Sequence, residues 1–130
     1  VNCGKKCPPV VPETLIPEAI NDLRAEAKED KIVLSWTIPQ KNTNESLLKD
    51  LAGFKVSRGE KACKGCPPDL SILQDIDYAY PSGLATIEGK KVEFIDHQVE
   101  PKEKYIYRVF SYNRRGHLSS GSNLARIEAP

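Results

Sequence analysis

Two pairs of cysteines are the residues of this chain whose type and spacing could do chemistry. Cys63 and Cys66 are separated by two residues and are followed by two prolines, in the stretch KACKGCPPDL. A Cys-x-x-Cys pair can be a redox centre, half of a metal site, or a local disulfide. Cys3 and Cys7 form the second pair, close to the first residue of the sequence.

The surroundings of the cysteines argue against a metal centre. A tetrahedral zinc or iron–sulfur site needs two pairs of ligands with matched spacing. Cys3 and Cys7 lie far along the chain from Cys63, and neither His97 nor His117 is beside a cysteine. We therefore expect no bound metal and no cofactor.

A catalytic thiol is also disfavoured at the Cys-x-x-Cys motif. Haem attachment needs a histidine directly after the motif, where this chain has Pro67. A thioredoxin-like centre needs the N-terminus of a helix in a βαβ fold, which lowers the pKa of the thiol. We expect a disulfide between Cys63 and Cys66 in an exported protein, which fixes the shape of a loop and adds little stability. The alternative is a thiol-disulfide or metal-binding factor that uses these two cysteines.

Length and composition indicate one soluble globular domain. The chain has 130 residues, of which 39% are hydrophobic and 28% are charged, as in ordinary globular proteins. No run of about 18 apolar residues could span a bilayer. Lys and Arg number 19 against 18 Asp and Glu, and they are spread along the chain, so we expect no nucleic-acid partner.

The elements that must position the cysteines are β-strands. Seven segments carry strand signals at intervals of roughly ten residues: 19–27, 31–37, 51–58, 72–80, 92–96, 103–113 and 123–129. The alternation is clearest in KIVLSWT, where Ile32, Leu34 and Trp36 share one face. Large apolar residues on other strands could cover the same interior, namely Phe54, Phe94, Tyr107 and Val109. The pattern predicts an all-β, seven-stranded, immunoglobulin-like β-sandwich.

The chain divides into a leader and a domain. Residues 1–17 contain four prolines and no alternation, which predicts an extended tether. The domain is expected over 18–130, with a cysteine-bearing loop at 59–71. Three carboxylates, Asp75, Asp77 and Asp96, lack the spacing of a calcium loop, and we expect them to be solvated. His97 and His117 have no nucleophile placed beside them by the sequence, and no catalytic set emerges.

The segments after residue 18 resemble a fibronectin type III domain. DLRAEAKEDKIVLSWTIP is similar to the first two strands of that family with their buried tryptophan, here Trp36, and GFKVSRG resembles the third strand. Val99, Pro101 and Tyr105 resemble the stretch that leads into the tyrosine corner of the family. This resemblance implies a structural role for Trp36 and for Tyr105, whose hydroxyl would bond back to upstream backbone. The loop that carries Cys63 and Cys66 departs from the family pattern.

The same resemblance implies a spacer or binding module rather than an enzyme. Some members bind receptors through Arg-Gly-Asp in the loop between the last two strands. Here that loop reads Arg115, Gly116, His117, so we interpret it as a solvated turn in which Gly116 supplies a positive φ. The candidate binding loop is instead the cysteine-bearing one, with Lys64, Gly65, Pro67 and Pro68 as its exposed residues.

The leader CGKKCPP resembles the start of a mature bacterial lipoprotein. In that family the first cysteine, here Cys3, is acylated, and a short tether with lysines and prolines follows. Acyl chains bind a bilayer at about 0.8 kcal/mol per buried methylene. The resemblance implies an exported, monomeric protein of the bacterial cell envelope that is anchored by lipid and binds an unknown protein partner.

Overall fold

The computed structural model describes residues 15–60, 70–81 and 83–130, and these residues form two packed antiparallel sheets. The first sheet has the strand order β1-β2-β6-β5, and the second has the order β4-β3-β7-β8. The strands are β1 (Arg24–Lys28), β2 (Lys31–Thr37), β3 (Leu51–Glu60), β4 (Ser71–Asp77), β5 (Ala85–Glu88), β6 (Lys91–Asp96), β7 (Lys104–Asn113) and β8 (Ala125–Glu128). The predicted all-β sandwich is confirmed.

The first sheet is built on the alternation of β2. Ile32, Leu34 and Trp36 are fully buried, whereas the residues between them are half-exposed. Strand β6 pairs with β2 so that Phe94 lies opposite Leu34 and Val92 lies opposite Trp36. Because all five point to the same side of the sheet, they form one wall of the core.

The second sheet supplies the other wall from β3 and β7. The inward residues of β7 are every second one, beginning with Tyr105, Tyr107 and Val109. Phe54 of β3 meets Trp36 across the interior, with ring centroids 5.5 Å apart at an angle of 70°. This edge-to-face contact is a favourable aromatic geometry, and it joins the two sheets at their centre.

An eighth strand, β5, adds to the seven that the sequence predicts. It is four residues long and pairs with β6, with Ala85 opposite Phe94 and Ile87 opposite Val92. A segment this short carries two periods of alternation at most, and its buried residue is a small alanine. Residues 85–88 adopt a strand because their backbone pairs with the edge of β6.

The domain includes residues that precede the predicted boundary at 18. The N–H of Thr43 donates to the carbonyl of Ile16, and Pro17 is bridged to Asn42. The side-chain amide of Asn113 donates to the carbonyl of Leu15 at 2.9 Å. The part of the leader from Leu15 onward is therefore tied to the sandwich, and the predicted tether at 1–14 lies outside the described residues.

The sandwich has two ends with different contents. The entry end is the one where residues 15–22, 38–50 and 114–118 lie, next to the C-terminal ends of β2 and β7. The far end holds the turn at 29–30, the connection 97–103 and the strand ends Glu60 and Ser71. Strand β3 runs from the entry end to the far end over ten residues, which is roughly 33 Å of extended chain. In the part of the chain that the structure describes, no helical segment meets the length and hydrophobicity of a membrane span.

Candidate functional site

The predicted cysteine site lies outside the described residues, but the structure shows where it attaches. Cys63, Cys66 and the candidate binding residues between Lys64 and Pro68 fall in segment 61–69. This segment joins β3 to its antiparallel neighbour β4, since Arg58 pairs with Ser71. The disulfide and the lipid attachment at Cys3 remain predictions. Gly59, which the sequence assigns to the loop, is a buried residue of β3.

A buried carboxylate lies at the same end of the sandwich, just inside these strand ends. Asp96, the last residue of β6, is 3% exposed. Its Oδ2 accepts a hydrogen bond from Nη1 of Arg58 at 2.8 Å and from the hydroxyl of Tyr107 at 2.6 Å. Its Oδ1 accepts the N–H of Gln98 at 3.1 Å. The expectation that Asp96 is solvated is wrong, because it accepts three donors inside the sandwich.

This cluster joins the two sheets electrostatically. Asp96 belongs to the first sheet, whereas Arg58 and Tyr107 belong to the second. Burial raises the pKa of Tyr107, and the hydrogen bond and charge of Asp96 raise it further, so the phenol stays neutral. Burial lowers the pKa of Arg58, but the hydrogen bond and charge of Asp96 outweigh it and the net pKa rises. Arg58 and Asp96 therefore form a salt bridge between the two sheets.

Tyr105 forms the tyrosine corner beside this cluster. Its hydroxyl accepts the backbone N–H of Glu100 at 2.8 Å, so the bond to upstream backbone that the resemblance implies is present. The guanidinium carbon of Arg58 lies 5.2 Å from the centroid of the Tyr105 ring, which is a cation–π distance. The corner thus fixes the connection 97–103 and packs against the same arginine.

Removal of the Tyr105 hydroxyl is expected to weaken the corner. We expect Tyr105→Phe to lower the free energy of unfolding by about 1 kcal/mol, because the N–H of Glu100 loses its acceptor. Urea denaturation followed by circular dichroism measures the change. Tyr80→Phe is the matched control, since Tyr80 is 83% exposed, and it should leave stability unchanged. Equal values for both variants would contradict a role for the corner.

A second carboxylate with the same kinds of partner lies on the outer face of the second sheet. Asp75 accepts from Nζ of Lys55 at 2.9 Å and from the hydroxyl of Tyr112 at 2.6 Å. Burial, and then the hydrogen bond of Asp75, raises the pKa of Tyr112 to about 12. Burial raises the pKa of Asp75, but hydrogen bonds from Tyr112 and Lys55 outweigh it and the net pKa falls. The side chains of Lys55 and Asp75 are 35% and 50% exposed, so water screens the ion pair between them.

Gly53 lets this outer cluster lie flat on the sheet. A Cβ at this position would lie 2.3 Å from the carbonyl oxygen of Ile76 and 2.6 Å from the hydroxyl of Tyr112. The backbone of β3 is irregular between Leu51 and Gly53, where it pairs with Tyr112. A glycine here therefore permits the close approach of the tyrosine.

The entry end contains a cleft of about 180 Å³. It lies among the connection from β2 to β3, the first residue of β3, the residue that follows β4 and the residue that follows β7. The lining residues are Ile38, Pro39, Gln40, Leu48, Lys49, Leu51, Tyr78 and Arg114. Ile38 and Leu51 are buried, whereas the cations Lys49 and Arg114 are exposed. The connection from β2 to β3 also carries an exposed apolar side chain, Leu47, which is 63% exposed.

The loop after β7 also holds the incoming chain at the entry end. The Oδ1 of Asn113 accepts the N–H groups of Arg115 and His117, which closes the turn. Gly116 in this turn has φ 85°, a conformation that favours glycine. Nδ1 of His117 lies 3.2 Å from the carbonyl oxygen of Leu15. The segment is therefore a clamp on the incoming chain.

The structure separates the remaining candidate residues. Asp75 lies on the outer face of the second sheet, whereas Asp96 lies inside the sandwich at the far end. His97 is at the far end and His117 is at the entry end. Among residues 15–60, 70–81 and 83–130, no group of three His, Cys, Asp or Glu side chains is placed to hold a metal ion.

Sequence reasoning missed the arginine partner of Asp96 and the cations of the cleft. Arg58 lies at an inward position of β3, two residues after Val56. The alternation of β3 therefore indicated that a charged side chain faces the interior. Lys49 and Arg114 lie in connections that carry no periodic pattern. Only the folded arrangement brings them to one cleft.

Comparison with known proteins bears on the fold. No family model matches the chain, and no curated protein matches it. The twitchin kinase region from C. elegans (Fn31-NL-kin-CRD-Ig26) is similar in structure, with a TM-score of 0.60, 15% identity and 88% coverage of this chain. The chain is an immunoglobulin-like β-sandwich.

Two enzymes also contain a similar structure. A β-1,2-glucanase from Parabacteroides distasonis matches with a TM-score of 0.57 at 15% identity over 94% of this chain. Pectate lyase PelI from Erwinia chrysanthemi, in complex with tetragalacturonic acid, matches with a TM-score of 0.56 at 16% identity over 84%. The matched part is 17% of the twitchin chain, 14% of the glucanase and 28% of the lyase. Identities this low establish the fold alone.

Proposed function

We propose that this protein is a non-enzymatic binding module of the bacterial cell envelope, a fibronectin type III-like domain held at a membrane by an acylated Cys3. The observation that carries the proposal is the placement of its two attachments. The chain from Cys3 joins the domain at Leu15, at the entry end. The cysteine-bearing segment joins it between Glu60 and Leu70, at the far end.

This placement suits a tethered receptor or scaffold. A leader that holds the entry end near a bilayer leaves the far end directed away from it, and the sandwich between them is roughly 33 Å long by the length of β3. Lys5 and Lys6 of the leader would lie near anionic headgroups. A loop shaped by a Cys63–Cys66 disulfide would then be presented to a protein partner.

Mass spectrometry of the protein isolated from its native membrane tests the anchor. We expect acyl chains on Cys3, and we expect Cys3→Ser to move the protein from the membrane fraction to the soluble fraction. Cys7→Ser is the matched control, because it changes a cysteine four residues away and should leave the protein in the membrane. An unmodified Cys3 in membrane-isolated protein would refute the anchor.

Thiol counting tests the loop separately. Protein purified in air should show no free thiol at Cys63 or Cys66 before reduction and two after it. The partner role is tested by replacing residues 61–69 with a short glycine–serine loop. A partner captured by the native chain from envelope extract and lost by this variant supports the binding loop, and full retention would remove it.

A further inference from the structure

Most of the large apolar side chains that are exposed on the described part of the chain lie at the entry end. They belong to three separate segments and are Leu47, Tyr78, Tyr80 and Leu118. The others are Ile72, near the start of β4, and Leu84, just before β5. Single exposed leucines are common on protein surfaces, but exposed apolar side chains collected at one end of a domain indicate a contact surface.

Hydrogen-bonded loops present the two leucines. The carbonyl of Leu47 accepts the side-chain amide of Asn42 at 3.3 Å, and Asn42 is itself buried. Leu118 is bridged to the end of β7. The N–H of Arg114 donates to the carbonyl of Asp50 at 2.8 Å, which joins the two loops to each other. Because the loops are already ordered, a contact made by these leucines would cost little conformational entropy.

The same loops hold the point at which the leader enters the domain. The N–H of Thr43 donates to the carbonyl of Ile16 at 2.8 Å, and Nδ1 of His117 lies 3.2 Å from the carbonyl oxygen of Leu15. The stretch from Cys3 to Leu15 can span roughly 40 Å at full extension. An acylated Cys3 would therefore keep the exposed leucines within that distance of a bilayer.

The charge that the entry end presents to solvent is mostly positive. The turn between β5 and β6 belongs to this end, since the N–H of Ile38 donates to the carbonyl of Lys90 at 2.8 Å. The exposed cations of the entry end are Lys41, Lys49, Lys90, Lys91, Arg114 and Arg115. The exposed carboxylates are fewer, namely Glu45, Asp77 and Glu88, whereas Glu18, Asp22 and Asp50 are half-buried.

A bilayer that contains anionic lipids matches both features of this end. At such an interface leucines reach the acyl boundary, tyrosines lie at the level of the headgroups, and lysines and arginines contact lipid phosphates. A soluble polyanion would engage the cations alone and would leave the leucines in water. The leucines and the entry of the leader therefore favour a bilayer.

We propose that the entry end is a docking face for an anionic bilayer, in which Leu47 and Leu118 enter the interface and the neighbouring cations contact lipid phosphates. This inference rests on the proposed function only for the presence of a bilayer near the leader. A single attachment at Cys3 would not orient the domain, whereas a second contact at the entry end directs segment 61–69 away from the membrane. Weak affinity is enough, because the anchor raises the effective concentration of the bilayer.

The test uses the full chain, purified without acylation, and sucrose-loaded vesicles of phosphatidylcholine and phosphatidylglycerol in equal parts. Sedimentation measures the bound fraction of the protein. We expect binding to these vesicles and at least tenfold weaker binding to vesicles of phosphatidylcholine alone. Binding should also fall when salt is raised to about 1 M, where the screening length is about 3 Å.

Replacement of the leucines tests the apolar part of the contact. Leu47→Ser combined with Leu118→Ser should weaken vesicle binding at least fivefold, because less apolar area enters the interface. Ile72→Ser combined with Leu84→Ser is the matched control, since both side chains are exposed away from the entry end. The control should change binding less than twofold.

Charge reversal tests the electrostatic part. Arg114→Glu combined with Arg115→Glu should weaken vesicle binding at least tenfold. Lys28→Glu combined with Lys104→Glu makes the same change at exposed positions of the far end, and it should weaken binding less than threefold. Circular dichroism verifies that each variant is folded.

Three outcomes would overturn the proposal: no binding to the phosphatidylglycerol vesicles, equal losses in an entry-end pair and its control pair, or binding to soluble polyphosphate without binding to vesicles. The test does not depend on acylation, because the chain is unacylated throughout. An unmodified Cys3 in native membranes would refute the anchor and leave the vesicle result standing. Absence of vesicle binding would refute the docking face and leave an acylated Cys3 standing.

Discussion

Asp96→Asn is expected to lower the free energy of unfolding by about 3 kcal/mol. The substitution removes the charge that compensates Arg58, and breaking a buried ion pair in this way costs about 3–5 kcal/mol. We take the lower end because the side chain of Arg58 is 21% exposed. An asparagine also cannot accept at both former oxygens, so Gln98 or Tyr107 loses a hydrogen bond. Urea denaturation measures the change.

The outer cluster supplies the matched control for this variant. Asp75→Asn makes the same chemical change at a carboxylate that also has one cation and one tyrosine as partners. Because that ion pair is exposed, we expect a loss of about 0–1 kcal/mol. Arg58→Met added to Asp96→Asn should recover part of the loss, since it removes the unpaired guanidinium. Equal losses at Asp96 and Asp75 would contradict the assignment of a buried bridge.

Trp36→Ala is expected to have the largest effect, a loss of about 4 kcal/mol, as for other large aromatic residues replaced in cores. The side chain is fully buried and in contact with Phe54 at the centre of the sandwich. Total stabilities of domains are about 5–15 kcal/mol, so this loss is a large fraction of the total. Circular dichroism is the appropriate probe, because Trp36 is the sole tryptophan of the chain.

Trp36→Phe is the control that separates packing from hydrogen bonding. Nε1 of Trp36 is buried and has no hydrogen-bond partner among the described residues. Phenylalanine therefore loses ring volume but no hydrogen bond, and we expect less than half of the alanine effect. A loss as large as that of Trp36→Ala would mean that the indole nitrogen has a partner, such as a buried water.

Most of the fold could be predicted from alternation because each long strand buries one face. The bounds of β2 agree with the predicted 31–37, and the inward residues of β7 are those that the pattern selected. Strand β1 begins at Arg24, later than predicted, since Leu23 and the residues before it form the entry segment. Strand β5 was missed because four residues with one small buried side chain carry little pattern.

The polar features were harder to predict because they depend on contacts between sheets. Asp96 and Arg58 are 38 positions apart, and nothing in either local sequence names the other. A carboxylate at a strand end is usually solvated, and this one is buried only because β3 and β7 bring donors to it. The cleft likewise combines residues from four separate segments of the chain. The salt bridge and the cleft can therefore be identified only from the folded structure.

Leu15 and the segment between β3 and β4 attach at opposite ends of the sandwich, and this has a mechanical consequence. If the membrane holds one and a partner holds the other, tension acts along the strands, so that the hydrogen bonds of each ladder are loaded together rather than one after another. The first contacts to carry that load are those of the clamp, where Asn113 and His117 reach the carbonyl of Leu15. The domain would then transmit force with little extension, and the strength of the clamp contacts would set the force at which the leader detaches from the sandwich.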